Sequence, residues 1–227
     1  MITGERAFER DRMVAEQIAG RGVSDPAVLK AMGLVLREDF VPADLAEAAY
    51  EDGPLPIGYG QTISQPFIVA AMTEAARVKP GDRVLEIGTG SGYGAAVLSK
   101  VAAEVYTIER IEALADSARE RLAALGYDNV HVLCGDGTLG WAEHAPYDAI
   151  IVTAGGPSVP PALVDQLRDG GRLVMPVGSS QRSQRLVRCT RTGPGNYTRE
   201  DLEWVAFVPL LGEQGWPVAA GEDASAW

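Results

Sequence analysis

VLEIGTGSGYG, residues 84–94, decides the fold. An apolar run with an acid near its end, followed by glycines at 88, 90 and 92, reads as a buried strand that turns sharply into a helix. Glycines there let the backbone reverse and come close to a ligand at the strand's carboxyl end, where open α/β sheets bind. The dinucleotide pattern GxGxxG would need its third glycine at position 93, which is Tyr93. The pattern is ExGxGxG instead.

Outward from this turn the same grammar repeats. From Lys79, the strands RVLEIG, EVYTIE, NVHVLCGD, YDAIIVTA and GRLVMPVG alternate with the helical segments GYGAAVLSKVA, IEALADSARERLAALG and SVPPALVDQLRDG. Such alternation predicts parallel strands with right-handed crossovers and helices on both faces. RLVRCTRT and LEWVAFVPL add a closing antiparallel pair across GPGNYT, giving a doubly wound, mostly parallel α/β sheet of seven strands.

Carboxylates mark successive strand ends. Glu86 puts negative charge beside the glycine turn, which disfavours a pyrophosphate and suits a cation. S-adenosyl-L-methionine carries two cationic groups, a sulfonium and an ammonium. Glu109, at the end of the second strand, is placed to accept both ribose hydroxyls, and Asp136 in LCGDG to take the exocyclic amine of adenine. Gly88, Thr89, Gly90 and Gly137 complete this expected cofactor site.

The N-terminal part reads differently. Met13, Ile18, Val28, Met32, Leu36 and Leu45 recur at roughly helical spacing through residues 5–50, with GRGVSDP as a break. Ser24 and Asp25 before Pro26 mark a helix start, and Pro66 starts the apolar helix FIVAAMTEAARV after a loop rich in Gly and Pro. The expected organisation is one overall domain: helices and a substrate loop over 1–78 packed on the core, the cofactor-binding core over 79–216, and a loose tail over 217–227.

At 227 residues and 46% hydrophobic content, the chain can bury one sizeable core. Its 31 acidic and 20 basic residues give a net charge of -11, a field that repels nucleic-acid backbones and anionic membranes. No apolar run approaches the ~20 residues of a membrane span, and the charged N-terminus lacks a secretion signal's apolar core, so a soluble cytoplasmic protein is expected. Cys134 and Cys189 lack metal-site spacing and read as two buried thiols; no metal is expected.

GYGQTISQPF, residues 58–67, offers no obvious acid, base or metal ligand. With VLEIGTGSGY downstream, then GDG, YDAIIVTA and FVPLLGEQGW, it resembles the protein-L-isoaspartate O-methyltransferase family from about residue 10 to Trp216. The glycine turn is common to most methyltransferases, whereas the GQTIS loop is characteristic of this family. The resemblance implies a class I, Rossmann-like methyltransferase with an N-terminal helical extension and an altered order of the last strands. It implies a monomeric repair enzyme that transfers a methyl from S-adenosylmethionine to the free carboxylate of L-isoaspartyl residues in damaged peptides and proteins, leaving S-adenosylhomocysteine. The ester leaves more readily than a carboxylate, so the neighbouring amide closes a succinimide, and hydrolysis returns some aspartate. The alternative is a related carboxyl methyltransferase dedicated to an aspartate of one peptide.

By the same resemblance, Ser64 is the active-site hydroxyl, and Thr62, Ile63, Ser64 and Gln65 lie against the cofactor. Ser64 and Gln65 also face the substrate, with Phe67 near its entrance. Phe67 stands where His or Tyr is frequent, and TAGG at 153–156 replaces a more usual pair of alanines, so peptide preference is the property these departures touch.

The loop's lack of a base fits the chemistry. A carboxylate with a pKa near ~4 is already ionised at neutral pH and needs holding in line with the methyl rather than deprotonating. A hydroxyl and loop amides hold an anion without a positive charge that would repel the sulfonium. His131 and His144 read as structural, and Trp141, Trp204 and Trp216 as packing residues. Tyr93 is placed to pack on the methionine part. Arg182, Arg185, Arg188 and Arg191 read as a solvated basic face.

Overall fold

The computed structural model describes residues 3–180 and 183–217, so Arg182 and all of the expected tail beyond Pro217 lie outside the described residues. Helix α1 (Thr3–Arg12) runs through a wide turn at Met13–Ile18 and a tight one at Ala19–Arg21 to α2 (Pro26–Leu34). Asp25 caps α2 by accepting from the amides of Ala27 and Val28, and Pro26 occupies the first turn, where its missing N–H costs nothing. Ser24 is not part of the cap: its amide and that of Asp25 donate to Glu74 Oε1 at 2.7 Å. Short 3-10 turns at Arg37–Phe40 and Ala43–Ala48 follow in place of continuous helix, and they leave Leu36 39% exposed.

A small antiparallel hairpin, β1 (Leu55–Gly58) and β2 (Gln61–Ile63), precedes α3 (Pro66–Ala75). The alternating region is β3 (Arg83–Ile87), α4 (Tyr93–Ser99), β4 (Glu104–Glu109), α5 (Glu112–Ala124), β5 (Val130–Cys134), β6 (Tyr147–Val152), α6 (Pro161–Asp165), β7 (Leu167–Ser180), β8 (Ser183–Gly193) and β9 (Asn196–Val205). The seven-stranded sheet has the order β5-β4-β3-β6-β7-β8-β9. It is parallel from β5 through β7 and antiparallel over β7-β8-β9. The last strands therefore meander outward in chain order.

Period-2 alternation sends side chains to two separate cores. Val84, Val105, Ala149 and Ile151 pack under the N-terminal helices, α3 and α4. Leu85, Ile87, Ile108, Ile150 and Val152 face the other layer. Met13, Ile18, Val28 and Met32 belong to the first core, so the N-terminal helices pack directly on the sheet.

Beyond helix ends that move by about one turn, two boundaries depart from the pattern in the sequence. The helix expected through Gly170 stops at Asp165, because Leu167 pairs with Tyr147 and the Tyr147 amide donates to Gln166 O at 2.8 Å. The last strand begins at Asn196 and ends at Val205, since the Phe207 amide leaves the ladder for Gln184 Oε1 and Val208–Leu210 lie against Gly155. Cys189 is buried, but Cys134 closes the edge strand β5 and is exposed.

Candidate active site

The glycine turn lies where β3 ends, at the centre of the sheet. Gly88 has φ +96°, and a Cβ there would meet Thr153 Oγ1 at 2.2 Å; a Cβ on Gly94 would meet Glu86 Oε1 at the same distance. Only a bare backbone fits between β3 and β6. The turn opens onto a cleft whose walls include Ile87, Ile108, Glu109, Gly137 and Leu210.

Glu86 lies on the inner side of this turn, 2% exposed. Thr107 Oγ1 donates to Glu86 Oε2 at 2.7 Å, and Thr89 Oγ1 lies 2.7 Å from Thr107 Oγ1. Burial raises the Glu86 carboxyl to about 8, against the lowering effect of the Thr107 hydrogen bond and with a further rise from nearby Glu109. A desolvated acid of this kind is most readily ionised beside a cation.

Glu109 lines the cleft and is itself held by backbone amides, accepting from Gly90 N at 2.9 Å and Ile111 N at 3.0 Å. Its orientation is thereby fixed at the end of β4. Asp136 is aimed elsewhere than at the cleft: Oδ1 accepts from the amide and hydroxyl of Thr138, and Oδ2 accepts from the Glu213 amide at 2.8 Å. Gln214 N donates to Thr138 Oγ1, and Trp216 Nε1 to Gly155 O at 2.9 Å. These contacts latch the segment carrying Leu210 and Leu211 over the cleft, while Gly137 itself lines it.

The hairpin of β1 and β2 covers the other side. Gly60, Gln61 and Thr62 face the cleft, and Ile57 reaches toward Gly90. Ile63 is buried and anchors β2, so Thr62 and Ser64 project toward open space. Ser64 lines both a compartment beside Glu86, Thr89 and Tyr93 and an outer groove that it shares with Gln65. Thr62 and Thr153 line both compartments and the cleft.

A residue that the sequence reading passed over holds this loop. Arg37 is fully buried and donates to the backbone carbonyls of Ala49, Gly53 at 3.1 Å and Ser64 at 2.9 Å, while its Nε has no partner. Burial lowers its pKa, an effect that Tyr93 and Tyr50 oppose. One guanidinium thus ties three turns of the chain together behind Ser64.

Phe67 lies in the first turn of α3, 7% exposed, beneath the Arg21 guanidinium at 3.7 Å from its ring centre. It is Arg21, paired with Asp52 at 3.3 Å, that lines the outer groove. Gln65 donates to Asp52 Oδ1 at 2.7 Å on the same side.

Comparison with known proteins agrees with this geometry. The profile of the family described as Protein-L-isoaspartate(D-aspartate) O-methyltransferase (PCMT) matches residues 9–215. The chain belongs to the protein-L-isoaspartate O-methyltransferase family. It is 60% identical over 209 residues to protein-L-isoaspartate O-methyltransferase 2 of Pelobacter propionicus, covering 92% of this chain and 93% of that one. It is equally similar, at 60% over 216 residues, to protein-L-isoaspartate O-methyltransferase 1 of Rhodopseudomonas palustris, covering 95% and 88%. A solved protein-L-isoaspartate O-methyltransferase superposes with a TM-score of 0.81 at 32% identity, covering 91% of this chain and 67% of that one. A Plasmodium falciparum candidate member, in complex with S-adenosyl-L-homocysteine, gives a TM-score of 0.76 at 27% identity, covering 89% and 98%.

Within this isoaspartate methyltransferase fold, the residues present fit an adenosylmethionine ligand. A side-chain-free cradle and a fixed carboxylate at the end of β4 line the cleft, and a buried acid in want of a cation lines the compartment that shares Thr62, Gly88, Gly90 and Thr153 with it. The remaining candidates stand apart from it. His131 pairs with Glu104 at 2.8 Å, and both histidines stack on Tyr106, which also meets Trp141 edge-on. Tyr93 is buried against Phe40 at 5.7 Å and lines the compartment beside Glu86. Arg188 pairs with Glu200, Arg191 with Asp169, and Arg185 sits over Trp204. Trp204 is 70% exposed and so is not the packing residue that the sequence suggested.

Among the described residues no group of three or more His, Cys, Asp or Glu could hold a metal, and no helix is long and apolar enough to cross a membrane.

Proposed function

We propose that the chain is a protein repair enzyme that methylates the free carboxylate of L-isoaspartyl residues in damaged peptides and proteins, acting as a cytoplasmic monomer. The observation that carries the reading is the place of Ser64, on the wall between the compartment beside Glu86 and the outer groove. A carboxylate entering from the groove meets a hydroxyl donor before it meets the cofactor cleft.

S-adenosyl-L-methionine, when bound, supplies a methyl made electrophilic by the sulfonium. The protein holds and orients. Ionised Glu86 would compensate the cofactor's positive charge, Glu109 would accept from its ribose hydroxyls, and Gly88 would let the backbone come close to it. The Ser64 hydroxyl would donate to one substrate oxygen and leave the other free as the nucleophile. Arg37 fixes the loop's carbonyls without presenting its own charge to the substrate. No general base is required, since the nucleophile is ionised at neutral pH.

The net charge of -11 supports peptide rather than nucleic-acid or membrane partners. The reading is tested by the chemistry of the product. Methyl label transferred to an isoaspartyl peptide should be released as methanol by mild base, as an ester requires; base-stable label, as on nitrogen or an ether oxygen, would refute carboxyl transfer.

A further inference from the structure

Among the large apolar side chains described as exposed, Trp204 is the most open, at 70%. It lies near the end of β9, the outermost strand of the sheet, directly opposite Arg185 in the β8–β9 ladder. Cross-strand partners share a face, and the Arg185 guanidinium stands 4.9 Å from the Trp204 ring centre. The indole is therefore steadied on the surface by a cation rather than by burial. Trp204 also lines the outer groove, together with Arg21, Thr62 and Ser64. A wide apolar ring held in place on the wall of a groove that also holds Ser64 is the arrangement found at binding hot spots, where its surface is covered by the partner.

We propose that Trp204, backed by Arg185, is a specificity platform that takes an apolar or aromatic side chain of the substrate, on the residue preceding the isoaspartyl position; this rests on the carboxyl-methyltransferase reading above. Succinimide closure uses the amide of the following residue, so a small side chain there is least hindered, and the bulky neighbour falls on the other side.

The experiment compares Gly-Gly-Phe-isoAsp-Gly with Gly-Gly-Gly-isoAsp-Gly, each with an aspartyl twin, for the wild-type protein and for Trp204→Ala and Trp204→Phe. The readout is the ratio of kcat/KM between the Phe and Gly peptides for each protein, so any general loss of activity cancels. The wild-type ratio should be about fivefold, the factor that an aromatic pair of about 1 kcal/mol gives. It should fall to near one in Trp204→Ala and stay elevated in Trp204→Phe. A wild-type ratio near one, or an elevated ratio that survives Trp204→Ala, overturns the platform. Failure of the underlying reading looks different: the wild-type protein would then methylate no isoaspartyl peptide, or methylate the aspartyl twins equally well.

Discussion

Replacing Glu86 by Gln should stabilise the ligand-free protein while weakening its grip on the cofactor. Burial lifts the Glu86 carboxyl from 4.5 to about 8, so the folded state prefers the protonated acid. The sign follows from linkage: the stabilising contribution is complete below the unfolded value of 4.5 and is lost as pH rises through 8. At about 1.4 kcal/mol per pH unit, ionisation costs roughly 1.4 kcal/mol at pH 5.5 and approaches about 5 kcal/mol at pH 8.5. Glu86→Gln keeps the volume and an acceptor for Thr107 Oγ1 but cannot ionise.

Melting curves of both proteins, measured without cofactor, should therefore separate as pH rises. The gap should widen by about 3 kcal/mol between pH 5.5 and 8.5, or roughly 6–12 °C for a chain of this size. Calorimetric binding of S-adenosylhomocysteine, whose ammonium remains, supplies the second arm. If binding needs ionised Glu86, affinity scales with its ionised fraction and should tighten about 16-fold from pH 6.5 to 8 in the wild type. Glu86→Gln should bind more weakly, with a flat profile. Parallel stability curves for the two proteins, or a wild-type affinity unchanged by pH, would refute the reasoning.

Other substitutions separate holding from binding. Ser64→Ala should leave S-adenosylhomocysteine affinity within about threefold while lowering kcat by roughly 10–100-fold, the loss of one hydrogen bond to a charged group; lost cofactor binding with normal turnover would contradict its role. Arg37→Met leaves the carbonyls of Ala49, Gly53 and Ser64 without their donor and should cost about 3–5 kcal/mol in chemical denaturation, with Arg37→Lys recovering part of it. Asp136→Asn turns an acceptor toward the amides of Thr138 and Glu213 into a partial donor. Freed from its latch, the segment carrying Leu210 should weaken S-adenosylhomocysteine binding by about tenfold in calorimetry, and an unchanged Kd would show that the latch is idle.

The parts legible in the sequence were those written locally. β3, β4 and β6 are buried on both faces, so they appear as apolar runs, and Glu86 and Glu109 stand out at their ends. The cap at Asp25 and the start at Pro66 involve neighbours within three residues. What escaped depends on distant partners. The hydrogen bond between Asp136 and the Glu213 amide spans 77 positions, so no local pattern shows it. Arg37 bonds only to backbone carbonyls, which carry no residue signature. The α6 boundary moved because strand pairing with Tyr147 captured Leu167, and Trp204 looked like core because its strand lies at a sheet edge that no local pattern reveals.

The central claim is that the GQTIS loop holds the free carboxylate of an isoaspartyl residue in line for transfer. The most direct measurement is kcat/KM on matched peptides that differ only in carrying L-isoaspartate or L-aspartate at one position. The account predicts methyl ester on the isoaspartyl peptide and little on its twin, with the isoaspartyl rate lowered in Ser64→Ala. Equal rates on both peptides, or none on either, would contradict it.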